Sequence, residues 1–424
     1  MSGKAILFLV MSFSVIFLIM GRNLGDVSTR SVQNSVGYYT NTLAHEIAVS
    51  GANLAAAKIS ANALWDSGFV ETDFNGGTFE TTVEHDADRR IVTTIGKYDT
   101  SESRVEIIIA PSTFSKYAYY SGDEGNGIIY WMTKDTVWGP FHTQDYLYVS
   151  GRACFYGPVS TKLGVKKQLK SDKPQFLGGF EVGDLQMPAD GVSRLKENAL
   201  NFGGKVFDLK STSTIQYNKF YLTFQNDSVT YKIEWTDNSS GTAVNKVTTQ
   251  TVLSSSLAPN GIIYIDGTKD QAGNIPLDVR LKGTVKGQYT VGSSGSFYLD
   301  DDIKYYSDPQ SGPSSDVLGI VAKKDVFITD NEANKHSIDI QASIYAETGG
   351  FGAENYATRP VSGTINLYGG IIQYIRKPIG KFDSGTQQVT HGYSKRYRYD
   401  ERFLAISPPY FPGTGKFEIL SWYE

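Results

Sequence analysis

The chain has 424 residues, of which only 20 % are charged and 13 % aromatic, with 43 Gly against 14 Pro; this composition favours strands joined by tight turns over a helical bundle. The 40 basic and 44 acidic residues give a net charge of −4, which excludes a global electrostatic attraction to nucleic acid or anionic lipid. Cys154 is the only cysteine, so no intrachain disulfide and no Cys-based metal site is available, and its hydrophobic neighbours in "RACFYG" predict a buried small residue.

The first residues predict a membrane-anchoring helix. Lys4 precedes an uncharged run from Ala5 to Gly21, which Arg22 ends. About 17 residues is the short limit for a helix that spans a bilayer. A cleaved secretory signal has the same basic start and apolar run, but no small-x-small cleavage site follows this one. We therefore expect the segment to be retained as a single-pass anchor in membrane lipid, with the rest of the chain outside the cytoplasm.

The helix is expected to continue well beyond the anchor. No proline occurs before Pro111, and apolar residues recur at steps of three, four and seven. These residues are Leu43, Ile47, Leu54, Ala57, Ala61 and Leu64. Within a first domain over residues 1–66, a helix from Lys4 to about Trp65 would form a rod of roughly 90 Å. Gly21 and Gly25 are its candidate break points.

The leader ending in Gly3, the charged Lys4, the apolar run and then "LAHEIAVSGANLAAAKI" resemble the N-terminus of PilX-like minor pilins over about residues 1–65. The resemblance implies a minor pilin or pseudopilin-like component of a type IV pilus or type II secretion-like system, with pilin-type helices of other subunits as partners. If cleavage followed Gly3, the fifth mature residue would be Phe8, where pilins usually carry glutamate. We therefore expect a terminal or substoichiometric position in a filament. The residues expected to contact membrane or other subunits are Ala5, Phe8, Gly21, Ala52, Ala56, Ala57 and Ala61.

Alternation of apolar and polar residues predicts a short antiparallel meander over residues 67–126. Its strands are "GGTFETTVEH", "RRIVTTIGKYD" and "SRVEIIIAP", joined by turns at "DAD" and "DTSES". The meander carries no residue pattern that indicates chemistry.

A repeated corner predicts the fold of the body. The stretch Trp138-Gly139-Pro140-Phe141-His142-Thr143 returns 18 positions later as Tyr156-Gly157-Pro158-Val159-Ser160-Thr161. Short strands with a unit length near 20 are typical of a coil that stacks turn upon turn. We predict a right-handed parallel β-solenoid over residues 127–375, with a β-sandwich as the alternative. The passages "SSDVLGIVAKKDVFI" and "PPYFP", within about residues 127–424, resemble a family of uncharacterised bacterial proteins that join a pilin-like N-terminus to a β-coil, which implies no particular activity.

Two segments depart from the repeat. Residues 165–260 contain a basic loop, helix start and stop signals and a predicted hairpin pair, turning at Asn226-Asp227 and at Asn238 to Gly241. We predict that they form an inserted α+β segment projecting from the solenoid. Residues 376–424 are predicted to form a C-terminal cap of extended backbone with a final strand.

The run that contains Lys395, Arg396 and Arg398, with Arg402 nearby, alternates basic and aromatic residues. Such a pattern suits a patch that binds an extracellular anionic polymer, either polysaccharide or DNA. It is equally typical of an edge strand with one buried and one charged face. Both interpretations stay open at this point.

No metal site, cofactor site or catalytic motif is predicted. Asp300, Asp301 and Asp302 favour a solvated turn over a Ca²⁺ site, because three adjacent side chains in a strand do not face one ion. The five histidines lack ligand spacing for zinc. We expect a non-enzymatic structural protein. The alternative is a membrane-tethered carbohydrate-active β-helix enzyme that uses Asp325 with Lys324, or Asp339.

Overall fold

The computed structural model describes residues 3–62, 65–86, 89–125, 129–133, 135–383 and 388–424. The protein is mainly β, with one long N-terminal helix and mostly parallel sheets, as predicted. Its two compact units are Met1–Pro111 with Lys416–Glu424, and Ser112–Gly415. Leu64, most of the predicted turn at 86–88 and the predicted start of the solenoid at Gly127 lie outside the described residues.

The first unit is built on helix α1 (Gly3–Ala61), which is continuous through Gly21 and Gly25. Its C-terminal part packs on a sheet through small residues. A Cβ on Gly96 of the sheet would lie 2.3 Å from the Ala44 carbonyl oxygen, and one on Gly51 of the helix would lie 2.7 Å from the Phe79 ring. Gly and Ala at these positions therefore bring the helix and sheet backbones close together.

The sheet of this unit has five strands: β1 (Phe69–Phe74), β2 (Gly77–Asp86), β3 (Arg89–Tyr98), β4 (Ser101–Thr113) and, beside β4, the last strand of the chain, β30 (Gly413–Tyr423). The pairs from β1 to β4 are antiparallel, as the meander predicted. The predicted C-terminal cap over 376–424 is therefore wrong for its last strand. Alternation predicts a strand but does not identify a pairing partner some 300 residues earlier.

The second unit is a coil with three strands per turn. The first strands of the turns pair in parallel as one sheet face: β15 (Lys205–Lys210), β19 (Ile262–Thr268), β21 (Gln288–Ser293), β23 (Val317–Ala322), the end of β25 (Ile338–Ala346), the end of β27 (Val361–Ile375), β5 (Tyr119–Asp123), β8 (Phe141–Thr143), β11 (Val159–Thr161) and β14 (Phe180–Val182).

The second strands form two separate groups. One is β6 (Trp131–Met132), β9 (Leu147–Ser150) and β12 (Val165–Lys167). The other is the middle of β16 (Ile215–Asn226), the start of β20 (Asp278–Val285), the start of β22 (Phe297–Tyr305), β24 (Val326–Ile328) and β26 (Phe351–Ala353). This second-strand face is interrupted between β26 and β6.

The third strands pair in parallel along the whole coil. The order begins with the ends of β16, β20 and β22 and continues with the starts of β25 and β27. It ends with β29 (Val389–Arg398), β7 (Thr136–Trp138), β10 (Cys154–Phe155) and β13 (Gln175–Phe176). The predicted 18-residue unit is one turn, because Thr136 pairs with Cys154, Phe141 with Val159 and Leu147 with Val165.

The chain enters this coil in the middle. It winds from β5 to β14 at one end, and residues 183–204 then return across the first-strand face. Tyr120 Oη donates to the Leu185 carbonyl at 2.7 Å, and Tyr345 Oη donates to the Pro188 carbonyl at 3.0 Å. Helix α2 (Gly191–Asn201) follows, and the chain winds back from β15 until β27 pairs with β5, with Ile371 opposite Tyr119.

The predicted projecting insertion over 165–260 is therefore wrong. The segment supplies three strands to the first half of the coil, the return crossing, and β15 and β16 at the far end. The antiparallel strands β17 (Ser228–Asp237) and β18 (Val244–Leu253) extend β16, and their turns fall where they were predicted. The short helix α3 (Ser254–Leu257) leads into β19. The sequence repeat is not visible in this segment, because the return crossing and the strands at the end of the coil do not have the length of a regular turn.

One continuous apolar cluster fills the coil interior. It includes the fully buried Phe220, Val279, Phe297, Ile340 and Phe155, which come from different turns along the coil. A smaller cluster lies under α2, where Val192, Leu195 and Ala199 pack on the outer side of the first-strand face.

Candidate functional site

The N-terminal part of α1 is a long apolar surface that the protein leaves uncovered. Every residue from 3 to 36 is exposed, including Ala5, Phe8 and Gly21. Phe8 is 70 % exposed and Leu18 74 %, values unusual for side chains of this size. In the described part of the chain, α1 is the helix that is long and apolar enough to cross a membrane. It is a candidate membrane anchor.

The predicted small-residue face of α1 is divided between two environments. Ala52 is fully buried against the sheet of its own unit, and Ala56 is half-buried. Ala57 and Ala61 are exposed, and with Leu54 they lie at helical spacing on the outer side of α1. The expectation that Ala52 contacts a neighbouring subunit is therefore wrong, because the chain's own sheet occupies that position. Ala57 and Ala61 remain available for such a contact.

The predicted C-terminal cations do not form one patch. On β29, Lys395 and Tyr397 lie opposite the inward Ile365 and Leu367, whereas Arg396 and Arg398 lie opposite Asn366 and Tyr368 on the outside. Lys395 Nζ is 2.8 Å from Asp135 Oδ2, and the lysine side chain is only 10 % exposed. The alternation along this strand separates an inner from an outer face.

Arg402 follows β29 in a short 3₁₀ helix and is neutralised locally. Its Nε and Nη2 donate to the two oxygens of Asp400 at 2.9 and 2.6 Å, and its Nη1 donates to the Ser314 carbonyl at 2.8 Å. Burial alone would lower the pKa of Arg402, but the hydrogen bonds and charge of Asp400 raise it. Arg402 therefore offers little charge to an external ligand.

Arg396 and Arg398 line a surface depression of about 430 Å³, the outer groove. Its other residues are Lys304, Tyr305, Asp308, Gln310, Asp339, Gln341, Asn366, Leu367 and Tyr368. Apart from Asp339, sequence analysis missed them, because the groove draws on turns more than 60 residues apart. Only the outward alternation of β22, β25 and β27 indicated their positions.

Two charged residues of the outer groove, Lys304 and Asp339, are paired with each other. Lys304 Nζ lies 2.7 Å from Asp302 and 2.9 Å from Asp339, and hydrogen bonds to these two carboxylates raise its pKa. Asn366 Nδ2 donates to Asp339 at 2.8 Å. Burial would raise the pKa of Asp339, but the hydrogen bonds from Lys304 and Asn366 lower it. These contacts hold the floor of the groove in one arrangement.

The two arginines differ in how much of their charge is free. Arg398 Nη1 donates to Gln310 Oε1 at 3.1 Å, and its guanidinium lies 5.8 Å from the Tyr368 ring centre. Arg396 is exposed and has no ion pair or hydrogen bond within the described residues. It is the cation of the predicted patch that is most available to an anion.

A known structure resembles the chain weakly. The crystal structure of the competence-associated pilin ComZ from Thermus thermophilus is similar at a TM-score of 0.36 and 13 % sequence identity, over 91 % of this chain and 97 % of that chain. No family model and no curated protein matches the sequence.

The other candidate carboxylates each have a structural partner. Asp300 accepts from Arg280 at 2.7 Å, Asp302 pairs with Lys304, and Asp325 pairs with Lys377 at 2.9 Å. In the part of the chain that the structure describes, no three His, Cys, Asp or Glu side chains gather as a metal site. Cys154 is half-buried on β10, which corrects the expectation of full burial; the third-strand face leaves its outward residues partly open.

Proposed function

We propose that this chain is a non-enzymatic, membrane-anchored protein of the cell envelope, related to minor pilins or pseudopilins of a type IV pilus or type II secretion-like system. Its β-coil is displayed outside the cytoplasm. The observation that supports this proposal is that the two parts of α1 lie in different environments. Residues 3–36 are uncovered and largely apolar, whereas the part from Thr40 to Ile59 packs on the antiparallel sheet.

The exposed apolar part of α1 needs a nonpolar environment, because its side chains are unfavourable in water. Moving a Leu or Phe side chain out of water stabilises by about 1.5–3 kcal/mol, and some fifteen large apolar side chains lie exposed along this segment. Only Lys4 is charged between residues 3 and 21. A bilayer covers such a helix completely, and pilin-type helices of neighbouring subunits would extend the cover.

Contacts with other subunits are assigned to the outer side of α1. Leu54, Ala57 and Ala61 lie on that side, and small residues allow a second helix to approach closely. The resemblance of "LAHEIAVSGANLAAAKI" to PilX-like minor pilins supports this assignment. Phe8 replaces the glutamate that pilins usually carry, so we propose a terminal or substoichiometric place in the filament.

The outer groove is the surface that we assign to an extracellular polymer. Arg396 supplies an unpaired positive charge, and Tyr368 supplies a ring. Asp308 and Asp339 in the same groove would repel closely spaced phosphates, which favours an acidic polysaccharide, whose carboxylates are sparser, over DNA.

Anchoring is tested with paired substitutions on the uncovered helix. Phe13→Arg places a charge in the middle of the apolar run, at a cost of about 2.5–3.5 kcal/mol in a bilayer. Val36→Arg is the matched control, since Val36 is also exposed but lies beyond that run. Both side chains lie on the part of α1 that is exposed throughout. The full chain should float with liposomes in the wild type and in Val36→Arg, and much less in Phe13→Arg. Equal flotation of all three would contradict the anchor.

Assembly is tested separately by crosslinking in cells. Ala57→Arg should abolish crosslinks to pilin-type subunits without changing the fold, because Ala57 is exposed. Ala57→Ser keeps a small side chain and should retain the crosslinks. Unchanged crosslinking in Ala57→Arg would contradict the assignment of the contact to this side of α1. Loss of membrane binding in Phe13→Arg together with no crosslinks to pilin-type subunits in the wild type would leave an anchored protein that stands alone.

A further inference from the structure

A cavity opens where the two halves of the coil meet. The first-strand and third-strand faces are continuous across this junction, but the second-strand face is interrupted between β26 and β6. Residues 376–379 and strand β28 (Gly380–Phe382) lie in that interval, and β28 pairs with β29 in antiparallel orientation. The interruption leaves a space of about 680 Å³, the junction cavity, within the range of small-molecule sites.

The walls of the junction cavity are aromatic and cationic. Rings come from Tyr119, Tyr130, Trp131, Phe351, Tyr356, Phe382 and Tyr397. Of the residues that the structure describes, four cations line it: Arg376, Lys377, Lys381 and Lys395. Within the described residues no carboxylate lines the cavity, so an occupant meets positive charge and ring surfaces.

Glu124 and Asp135, the carboxylates that balance Arg376 and Lys395, lie behind the cavity wall and accept hydrogen bonds from surrounding residues. Glu124 is completely buried and accepts from Tyr119 Oη at 2.8 Å, from Trp131 Nε1 at 3.3 Å and from Arg376 Nη1 at 2.7 Å. Asp135 accepts from Lys395 Nζ at 2.8 Å and from the Met132 backbone N–H at 2.9 Å. These contacts fix the positions of both cations.

The cations themselves keep unused donors. Arg376, whose side chain is 5 % exposed, bonds through Nη1 to Glu124 and to the Ile129 carbonyl, and in the described part of the chain its Nε and Nη2 have no acceptor. Lys395 bonds only to Asp135, which leaves two of its three N–H donors without an acceptor there. Both residues line the cavity, so an anion bound there would supply acceptors to these donors.

Electrostatics around Lys395 agrees with this geometry. Burial lowers the pKa of Lys395; Asp135 and, more weakly, Glu124 counteract that effect, while nearby Arg376 lowers it further. A negative charge bound beside Arg376 and Lys395 would offset both the cost of burying the Lys395 charge and the repulsion between the two cations. At the rim, Lys381 is exposed and has no partner within the described residues, so it adds a positive charge that nothing balances.

We propose that the junction cavity binds a small ligand that carries a carboxylate on a ring-shaped body. Arg376 and Lys395 receive the carboxylate, Lys381 attracts it at the rim, and the tyrosine and phenylalanine rings hold the body. Two kinds of molecule share this chemistry: an acidic sugar residue and an aromatic acid. The proposal does not depend on membrane anchoring or on the outer groove.

Titration calorimetry on the full chain in detergent tests the proposal with four probes. Glucuronate and indole-3-acetate carry the carboxylate, and glucose and indole are their neutral counterparts. At least one acid should bind at least tenfold more tightly than its neutral counterpart. Binding of glucuronate alone identifies a sugar ligand, and binding of indole-3-acetate alone identifies an aromatic one. Equal affinity for acids and neutral probes, or no binding of either acid, would overturn the proposal.

Variants locate the binding. Lys381→Gln removes the unpaired rim charge without disturbing a partner and should weaken binding of the acid about threefold to tenfold. Lys335→Gln, on an exposed 3₁₀ helix away from the cavity, should leave it unchanged. The double variant Asp135→Asn with Lys395→Met removes an ion pair without leaving one charge buried, and it should abolish binding. If the double variant fails to fold, Lys381→Gln still decides: unchanged affinity in that variant refutes the assigned site.

Discussion

The indole ring of Trp138 stacks on the phenol ring of Tyr156, with ring centres 3.7 Å apart and planes 8° from parallel. The two residues occupy the same place in successive turns of the coil. The glycine that follows each of them allows this spacing. A Cβ on Gly157 would lie 2.1 Å from the Gly139 carbonyl oxygen, and one on Gly178 would lie 2.2 Å from the Gly157 carbonyl carbon. Glycine therefore recurs at this corner in three turns because the backbones touch.

Gly157→Ala should lower the free energy of unfolding of the coil by about 1–3 kcal/mol, since the new methyl group forces adjacent turns apart. Gly183→Ala is the control, because its Cβ would meet nothing closer than Ser160 Cβ at 4.0 Å. Denaturant unfolding followed by near-UV circular dichroism measures both. Equal stability of the two variants would contradict the close stacking of the corners.

The same contrast explains what the sequence could and could not predict about the fold. The corner at Gly139 and Gly157 repeats within one turn, so a local pattern revealed the coil. The closure of β27 on β5 places Gln373 Nε2 3.1 Å from Tyr119 Oη across 254 positions of sequence. No local pattern specifies that contact, because many strands with the same alternation could pair there. For the same reason, the return crossing through α2 was predicted to be part of a projecting insertion.

The candidate site follows the same rule. The alternation from Lys395 to Arg398 correctly indicated a strand with two different faces. The inward face was identifiable only once Asp135, 260 positions earlier, was placed beside Lys395. Glu124, the acceptor for Arg376, gave no sequence signal at all, since an isolated Glu in "SGDEGNG" is typical of an exposed turn.

Glu124→Gln should destabilise the coil by about 3–5 kcal/mol, the usual cost of leaving one charge of a buried pair without its partner. Gln has nearly the same shape, so the loss arises from the Arg376 charge and not from a void. Glu332→Gln is the control: Glu332 pairs with Lys335 in solvent, its side chain is 86 % exposed, and a change below about 0.5 kcal/mol is expected. Thermal and denaturant unfolding should agree on the difference, and comparable stability of both variants would show that the Glu124–Arg376 pair contributes little.

Arg396→Glu should weaken retention of the protein on an immobilised acidic polysaccharide, because it reverses the unpaired charge of the outer groove. Affinity electrophoresis in a polyuronate gel would measure an apparent dissociation constant at least threefold to tenfold higher. Lys416→Glu, an exposed charge reversal on β30, should have a smaller effect. Retention on single-stranded DNA but not on polyuronate, lost in Arg396→Glu, would favour DNA over polysaccharide; equal retention of Arg396→Glu and wild type would exclude the groove.

His142 should make the stability of the coil depend on pH. Its side chain is buried, its Nδ1 is 2.7 Å from Ser160 Oγ, and its ring stacks on Tyr120 with centres 5.4 Å apart. In the described structure its Nε2 has no hydrogen-bond partner, so a proton added there would lie buried without an acceptor. Burial lowers the pKa of His142 to about 4, although Asp184 raises it slightly.

Between pH 6.5 and pH 4 the unfolded chain therefore binds a proton at His142 that the folded chain does not. Stability from this residue is complete above pH 6.5 and is lost as the pH falls toward 4, by at most about 3 kcal/mol. His142→Gln should remove that part of the pH dependence, so the difference in unfolding free energy between wild type and variant should shrink or reverse on acidification from pH 7 to pH 4. His336→Gln, at an exposed histidine, should keep the wild-type slope. Parallel curves for wild type and His142→Gln would mean that the imidazole accepts its proton inside the folded coil as readily as in water.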